Sequence, residues 1–484
     1  MRTFSLNKNW ALIAGPIVAS ALWLLMYHVG DLDAQPCWVA AITCVCAVWW
    51  IFEPIPIAAT SLVPFAAFPL TGVMTDKQVA QSYGHHMVLL LLGGFMISKA
   101  LEKSYTHRRL ALLMVRAVGG KGGRRILLGF MLASATLSMW ISNTATTLML
   151  MPVAIAVLDQ VETKDRAKLG VPLMLAIAYA ASIGGMGTPI GTPPNVIFMD
   201  VYTQTTGKEI TFAGWMKIAL PIVLVMLPCT WLWLSRGLGT ARQLKLPDQG
   251  KWTKPQVRVM IVFAFTVLAW IFRKGPAGGW STWVTDLMRT DNDTSILDVS
   301  KAGDSTVALI AVLAMFLIPS GEITATNKTD RLLDWKTAVT IPWGLLLLVG
   351  GGIAIASGFQ ESGLATIIGE SLEQVSALPL FILIFTLCIA VTFLTEVTSN
   401  TATATLLMPI LAATAIAAKM DPTLLMVPAV ISCSCAFMLP VATMPNAIVF
   451  GTGHVPIKQM AREGFILNLL GALVIAIIAV TLLG

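Results

Sequence analysis

Two short polar runs carry the residue types in this chain that are able to do chemistry. Ser138-Met139-Trp140-Ile141-Ser142-Asn143-Thr144-Ala145-Thr146 returns 257 positions later as Thr395-Glu396-Val397-Thr398-Ser399-Asn400-Thr401-Ala402-Thr403. Both run into Leu/Met-rich sequence that meets a proline, Pro152 in one and Pro409 in the other. A Ser-Asn-Thr triplet in apolar sequence is costly unless it is buried against protein, water or an ion. Its repetition in register points to one site built from two halves. A second pair of segments has the same relation: Thr188-Pro189-Ile190-Gly191-Thr192-Pro193-Pro194-Asn195 and Leu439-Pro440-Val441-Ala442-Thr443-Met444-Pro445-Asn446. Proline breaks a helix and forces carbonyls out of the hydrogen-bond ladder. Hard oxygens from Ser, Thr, Asn and backbone suit an alkali cation such as Na+, and no Cys/His cluster or acid array offers a transition-metal or Mg2+ alternative. None of the four segments contains Arg or Lys. An anion bound among them relies on hydroxyls, amides, helix N-termini and co-bound cations, and Na+ beside it would offset its desolvation. Hydrogen bonding to neighbouring helices is the usual role of one such residue in a membrane helix. Two duplicated triplets and two duplicated Pro-Asn breaks go beyond that role.

The elements that position these segments are membrane helices. The chain has 484 residues, 56% hydrophobic and only 12% charged, with a mean hydropathy of +0.79, far more apolar than a soluble globular protein. Apolar stretches recur from end to end, which implies a multi-pass membrane protein rather than a soluble domain with one anchor. The first, Trp10 to Tyr27, has no small-residue cleavage site after it and reads as a retained helix. The net charge of +7 is distributed as a topology signal and not as a nucleic-acid surface. All seven cysteines lie in apolar segments; the Cys44/Cys46 and Cys433/Cys435 pairs read as core residues, and no disulfide is inferred.

Crossings are expected near 10–27, 36–52, 55–70 and 86–98. Arg2 and Lys8 precede the first and Asp31 and Asp33 follow it, so the positive-inside rule puts the N-terminus in the cytoplasm. Lys99 to Arg125, with Arg108, Arg109, Arg116, Lys121 and Arg124 against the single acid Glu102, reads as an amphipathic helix along the cytoplasmic interface. Ile126 to Leu158 contains the first triplet. Read as a re-entrant hairpin, it returns the chain to the cytoplasm, and the later charges then agree: Arg236, Arg242, Lys245 and Lys251 fall inside, while Asp286, Asp291, Asp293, Glu361 and Glu373 fall outside. About eleven crossings and two re-entrant hairpins result.

Gly93-Gly94 with the basic arm aligns with Gly351-Gly352 and an acidic arm. Similar sequence with opposite sidedness is the mark of an inverted repeat, a common plan for secondary transporters. The expected division is residues 1–85 as N-terminal scaffold helices; 86–235 as the first repeat, with hairpin 126–158 and broken helix 170–200; 236–337 as connecting loop and helices; and 338–484 as the second repeat, with hairpin 380–418 and broken helix 422–450. The fold class is therefore an all-α polytopic membrane protein.

Ser142-Asn143-Thr144, Ser399-Asn400-Thr401, the segment Met438 to Phe450 and Glu53-Pro54-Ile55-Pro56 together resemble the divalent-anion:sodium symporter family of dicarboxylate and citrate carriers. The resemblance covers essentially the whole chain. It implies a homodimer in the inner membrane, with scaffold and transport domains working by an elevator movement. It also implies at least two co-transported Na+, one site involving Ser138, Asn143 and Gly191, the other Thr395, Asn400 and Ala442. Substrate carboxylates would meet Ser142, Asn143, Thr144, Thr192, Ser399, Asn400, Thr401 and Thr443. Many relatives carry Pro-Pro where this chain has Met444-Pro445, so Met444 bears on substrate preference.

The resulting expectation is a sodium-coupled importer of C4-dicarboxylates such as succinate, malate or fumarate. A sodium-independent exchanger and a sodium-coupled citrate or sulfate carrier are the alternatives within the fold. A membrane enzyme would need a nucleophile/base pair or a metal array, and the sequence offers neither. Glu396 is open to three roles, which are tuning a cation site, carrying a proton or bracing its hairpin. His85, His86 and His454 read as interfacial, and Trp49, Trp50, Trp140 and Trp343 as interface or core aromatics.

Overall fold

In hydrocarbon every backbone N–H and C=O must be satisfied within its own segment, which turns the apolar runs of this chain into helices. The structure, a computed structural model, describes residues 9–118, 122–160, 163–238, 250–274, 278–288, 298–323, 329–371 and 379–484. Arg2, Lys8, Lys121, Arg242, Lys245, Asp291, Asp293 and Glu373 lie outside the described residues. Helices α1 (Trp10–His28) and α2 (Ala34–Phe52) pack side by side, and the third apolar run is divided into α3 (Ile57–Thr60) and α4 (Val63–Thr71). A short amphipathic helix that the sequence did not suggest, α5 (Asp76–Tyr83), starts at a capping box formed by Thr75 and Gln78.

The span expected as the first repeat holds α6 (His86–Lys103), α7 (Thr106–Val118), α8 (Gly123–Ser138), α9 (Asn143–Leu158), α10 (Thr163–Gly185), α11 (Pro193–Thr206) and α12 (Phe212–Leu234). Connecting elements follow as α13 (Lys254–Ile271), α14 (Gly279–Leu287), α15 (Asp304–Leu317), strands β1 (Pro319–Ile323) and β2 (Thr329–Arg331), and α16 (Trp335–Ala338). The span expected as the second repeat holds α17 (Trp343–Glu361), α18 (Leu364–Ser371), α19 (Leu380–Thr395), α20 (Asn400–Ala417), α21 (Thr423–Ser432), α22 (Met444–Gly451) and α23 (Ile457–Leu483). Each repeat therefore holds a helix pair around its triplet and a helix broken at its Pro-Asn segment.

Several expectations need correction. Within Lys99 to Arg125 the expected amphipathic helix is confined to α7, Thr106–Val118. Lys99 and Lys103 end α6, Tyr105 turns the chain with φ of 55°, and Arg124 and Arg125 open α8. Arg109 is buried, with its guanidinium donating to the carbonyls of Gly250 and Lys251. The all-α class holds; within it β1 and β2 form a small antiparallel ribbon, and α14 lies within the loop expected after α13. Among the described residues, nine helices are long and apolar enough to cross a membrane. Three of the expected crossings fall on shorter apolar helices, α3–α4, α15 and α21, while α20, a limb of the expected second hairpin, is among the nine.

The repeats are interlocked. α10 is the most deeply enclosed of the long helices, and α8 and α9 both pack on it. α22 of the second repeat lies on α9 and α10 of the first, while α11 of the first lies on α20 and α21 of the second. The glycine pairs serve close approach. A methyl on Gly93 would stand 2.6 Å from Ala308 Cβ on α15, and one on Gly351 would stand 2.6 Å from the Ser61 carbonyl.

Polar contacts join loops that the charge count assigned to a common side. Arg273, after α13, meets Glu209 at 2.5 Å and Asp304 at 2.6 Å, and Lys274 meets Glu209 at 2.5 Å. On the other face Lys103 pairs with Asp330 and Asp334, and Arg236 with Glu463.

Candidate functional site

Each hairpin turns at its triplet because the serine there starts the returning helix. Ser142 is the N-cap of α9 and accepts from the Ala145 N–H at 3.2 Å; Ser399 is the N-cap of α20 and accepts from the Ala402 N–H at 3.5 Å. The broken helices restart at threonines, with Thr192 in the N-cap position of α11 and Thr443 in that of α22, each followed by proline in the first turn. Thr443 accepts from the Asn446 N–H at 3.3 Å, whereas the Thr192 side chain makes no capping bond and is left available.

These four helix starts surround one cavity of about 640 Å³, lined by Ser142, Asn143, Thr144, Gly191, Thr192, Ser399, Asn400, Thr401, Ala442, Thr443 and Met444. All eight residues expected to meet substrate are in this lining. A helix N-terminus carries roughly +0.5 of a charge, so four of them supply about +2 without any basic side chain. That matches the charge of a dianion.

Behind each tip lies a buried oxygen pair. Ser138 donates to Asn143 Oδ1 at 2.5 Å, and Thr395 donates to Asn400 Oδ1 at 2.7 Å and to the Cys433 carbonyl at 3.0 Å. Ser138 and Thr395 are fully buried and do not line the cavity. The breaks facing them are pinned alike. Asn195 Nδ2 donates to the Gly185 carbonyl at 3.1 Å and to that of Thr188 at 2.7 Å; Asn446 Nδ2 donates to the Ala436 and Leu439 carbonyls, both at 3.0 Å. In both asparagines Oδ1 is buried without a donor among the described residues. A buried oxygen in that condition is a group that a cation satisfies.

Gly191 reaches its expected neighbourhood through another glycine. A methyl on Gly185 would stand 2.6 Å from Asn143 Oδ1, and one on Gly191 would stand 2.4 Å from the Gly185 carbonyl. Neither position has room for a side chain. Gly185, Asn195, Asn446 and the Cys433 carbonyl received no role from the sequence, although the repeated Pro-Asn spacing marked both asparagines.

Glu396 braces its hairpin. Its carboxylate accepts from the Met438 N–H at 2.8 Å, the Leu439 N–H at 3.0 Å and Asn468 Nδ2 at 2.7 Å. The equivalent link in the first half runs from the Thr188 hydroxyl to the Met139 carbonyl. His85 is more than interfacial, since its Nδ1 lies 3.0 Å from Oδ1 of the fully buried Asp200. His454 sits beside its own turn at Thr452. Trp49 donates to the Ala11 carbonyl and Trp50 to Ser61, Trp140 stacks on Phe212, and Trp343 is half exposed.

A second cavity, about 840 Å³, adjoins the first and shares Phe95, Ser142, Thr144, Leu345 and Met444 with it. It opens toward Lys99, Glu102, His107 and Arg108 at the basic arm. Its repeat-related counterpart, about 480 Å³ between α11, α17, α18 and α20, includes Pro409 and Ala413 but stops short of Ser399, Asn400 and Thr401. Among the described residues, the cavity at the tips shares its wall with the one that reaches the basic arm and shares no lining residue with the other.

Residues 6–483 match the family described as "Sodium:sulfate symporter transmembrane region". The sodium-dependent dicarboxylate transporter SdcS of Staphylococcus aureus strain NCTC 8325 / PS 47 is 40% identical over 496 aligned positions, covering 99% of this chain and 91% of SdcS. SdcS of strain MRSA252 is 39% identical over the same extent. Two solved structures share the fold at low identity. The YdaH transporter of Alcanivorax borkumensis has a TM-score of 0.57, with 11% identity over 85% of this chain and 87% of that one. MtrF of Neisseria gonorrhoeae has a TM-score of 0.56, with 10% identity over 83% and 82%. The near-full-length match agrees with the paired tips and broken helices, and this multi-pass membrane chain belongs to the sodium:sulfate symporter family, the divalent-anion:sodium symporters, which are transporters and not enzymes.

Proposed function

We propose that this protein is a sodium-coupled symporter that imports C4-dicarboxylates such as succinate, malate or fumarate. The observation that carries the reading is the convergence of four half-helix N-termini, beginning at Ser142, Thr192, Ser399 and Thr443, on one cavity without a basic side chain in the four segments. Behind it, one Na+ would use Ser138, Asn143 and the Gly191 segment, and a second Thr395, Asn400 and the Ala442 segment. The dianion would lie between the tips on Ser142, Asn143, Thr144, Thr192, Ser399, Asn400, Thr401 and Thr443. Both cations offset the cost of removing the dianion from water. The 40% identity to SdcS, whose name records sodium and dicarboxylate, supports the same cargo here.

The protein would sit in the inner membrane as a homodimer with its N-terminus in the cytoplasm. The division at residues 85, 235 and 337 would separate scaffold from transport elements, and an elevator movement would carry the site between faces. On this topology the present conformation is open to the cytoplasm, because the shared wall at Ser142, Thr144 and Met444 leads to the basic arm. If more positive than negative charge moves, uptake also draws on the membrane potential, worth about 2.3 kcal/mol per charge per 100 mV.

The test is uptake of labelled succinate into proteoliposomes under an imposed sodium gradient, competed by citrate and sulfate. Uptake that persists when choline replaces sodium refutes the coupling. Stronger competition by sulfate than by unlabelled succinate would favour the second reading, a sulfate carrier, which the family's description supports. Asn143→Ala and Asn400→Ala should each abolish sodium-dependent uptake in correctly inserted protein.

A further inference from the structure

A third cavity, about 820 Å³, lies away from the tips, where the ends of α10, α12 and α23 meet on the face that carries the basic arm. Lys168, Arg236 and Arg462 line it, with Glu463 as the acid among its lining residues. Glu463 is buried and accepts from both arginines, Arg236 at 3.2 Å and Arg462 at 2.7 Å. One carboxylate between two guanidiniums fixes them in place and leaves the cavity with a surplus of about two positive charges. The Arg236 guanidinium also lies 3.1 Å over the Trp233 ring and donates to the Trp233 carbonyl, so its planar fork is held in advance. Apart from Gln459 the rest of the wall is apolar, with Val171, Leu175, Leu238 and Ile466 beneath the cations.

The surroundings are those of a lipid-facing groove. Along α12 the residues Leu224 and Leu232 are exposed, as are Phe465 and Ile477 along α23. Trp231 and Trp233 mark the end of α12, with Trp231 donating to the Arg124 carbonyl; tryptophans of this kind sit at headgroup level. A free phosphate would gain nothing from the apolar floor, whereas a phosphodiester with acyl chains matches both the floor and the rim.

We propose that the groove between α10, α12 and α23 binds the phosphate headgroup of an anionic glycerophospholipid, with Lys168, Arg236 and Arg462 as its cationic contacts. Juxtamembrane cations each strengthen attraction to anionic lipid by about fivefold. The test is native mass spectrometry of the full chain in detergent with added phosphatidylglycerol or phosphatidylcholine. Wild type should retain phosphatidylglycerol selectively. Lys168→Gln, whose side chain is exposed, should weaken that retention about fivefold, and Lys168→Gln/Arg462→Gln about 25-fold. Lys336→Gln, an exposed cation on α16, should change nothing. Equal retention by wild type and Lys168→Gln overturns the proposal. So does thermal stabilisation by millimolar inorganic phosphate that equals the lipid's and depends on the same cations, since the site would then hold a free anion.

Discussion

Substitution of Gly185 by alanine separates the two proposed sodium sites. The added methyl would stand 2.6 Å from Asn143 Oδ1, 3.0 Å from Nδ2 and 3.2 Å from Cγ. Unstrained contact begins near about 3.5 Å, so the Asn143 amide must retreat by roughly 0.5–0.9 Å. Binding constellations tolerate displacements of only about 0.5 Å. The Asn143 carbonyl therefore leaves Ser138, and with it the cation that the pair would hold. Disturbing a group that orients a metal ligand weakens binding about 10- to 100-fold, which corresponds to roughly 1.4–2.7 kcal/mol. The second half is an internal control, because the equivalent carbonyl there belongs to Ala436, whose methyl coexists with the 2.7 Å Thr395–Asn400 bond. In proteoliposomes, the sodium concentration for half-maximal succinate uptake should rise at least tenfold in Gly185→Ala. The maximal rate should return at high sodium, and Ala436→Gly should behave nearly as wild type. An unchanged half-maximal sodium concentration in correctly inserted Gly185→Ala would refute the placement of a cation at Asn143.

Other perturbations follow from the same contacts. Glu396→Gln replaces an acceptor of three hydrogen bonds by a neutral group whose oxygen can keep Met438 and Asn468 but whose NH2 then faces the Leu439 N–H; a thermal shift assay should report a loss of about 1.5–3 kcal/mol. His85→Ala removes the ring nitrogen that lies 3.0 Å from the buried Asp200 carboxyl, which keeps its bond from Gln204, and destabilisation of about 1–3 kcal/mol is expected. His85→Ala/Asp200→Asn should recover part of that loss, and failure to recover any would remove the pairing as its cause. Burial raises the Glu209 carboxyl, but hydrogen bonds from Lys274 and Arg273 outweigh it and hold the group below the usual range. A lowered native value means that this stability is present above about pH 4.3 and is lost as pH falls through the native value. Thermal midpoints measured downward from pH 5 should fall less steeply in Glu209→Gln.

The parts of the fold legible in the sequence were those written twice. Ser-Asn-Thr and the Pro-Asn breaks recur in order; helix pairs turn at both triplets, α21 and α22 span 423–451 against the expected 422–450, and α10 and α11 run from 163 to 206 rather than 170–200. Elements written once were missed or merged. α5 rests on a local Thr75–Gln78 capping box, and the turn at Tyr105 carries no Gly or Pro to announce it. The site was legible to the extent that side chains compose it. Its remaining groups are carbonyls of Gly185 and Cys433, and backbone oxygens have no residue-type signature. Asp200 and His85 are joined only by tertiary packing, which spacing does not record.

The exchange of half-helices between repeats also bears on how the chain is made. α9 and α10 emerge from the ribosome early, yet α22, which packs on both, begins only at Met444. At about 5–20 residues per second, that surface stays without its native cover for roughly 10–50 s of synthesis. The protein therefore matures as a whole rather than repeat by repeat. A chain arrested before Met444 would expose an unfinished seam inside the membrane, recognisable to the cell's quality-control proteases.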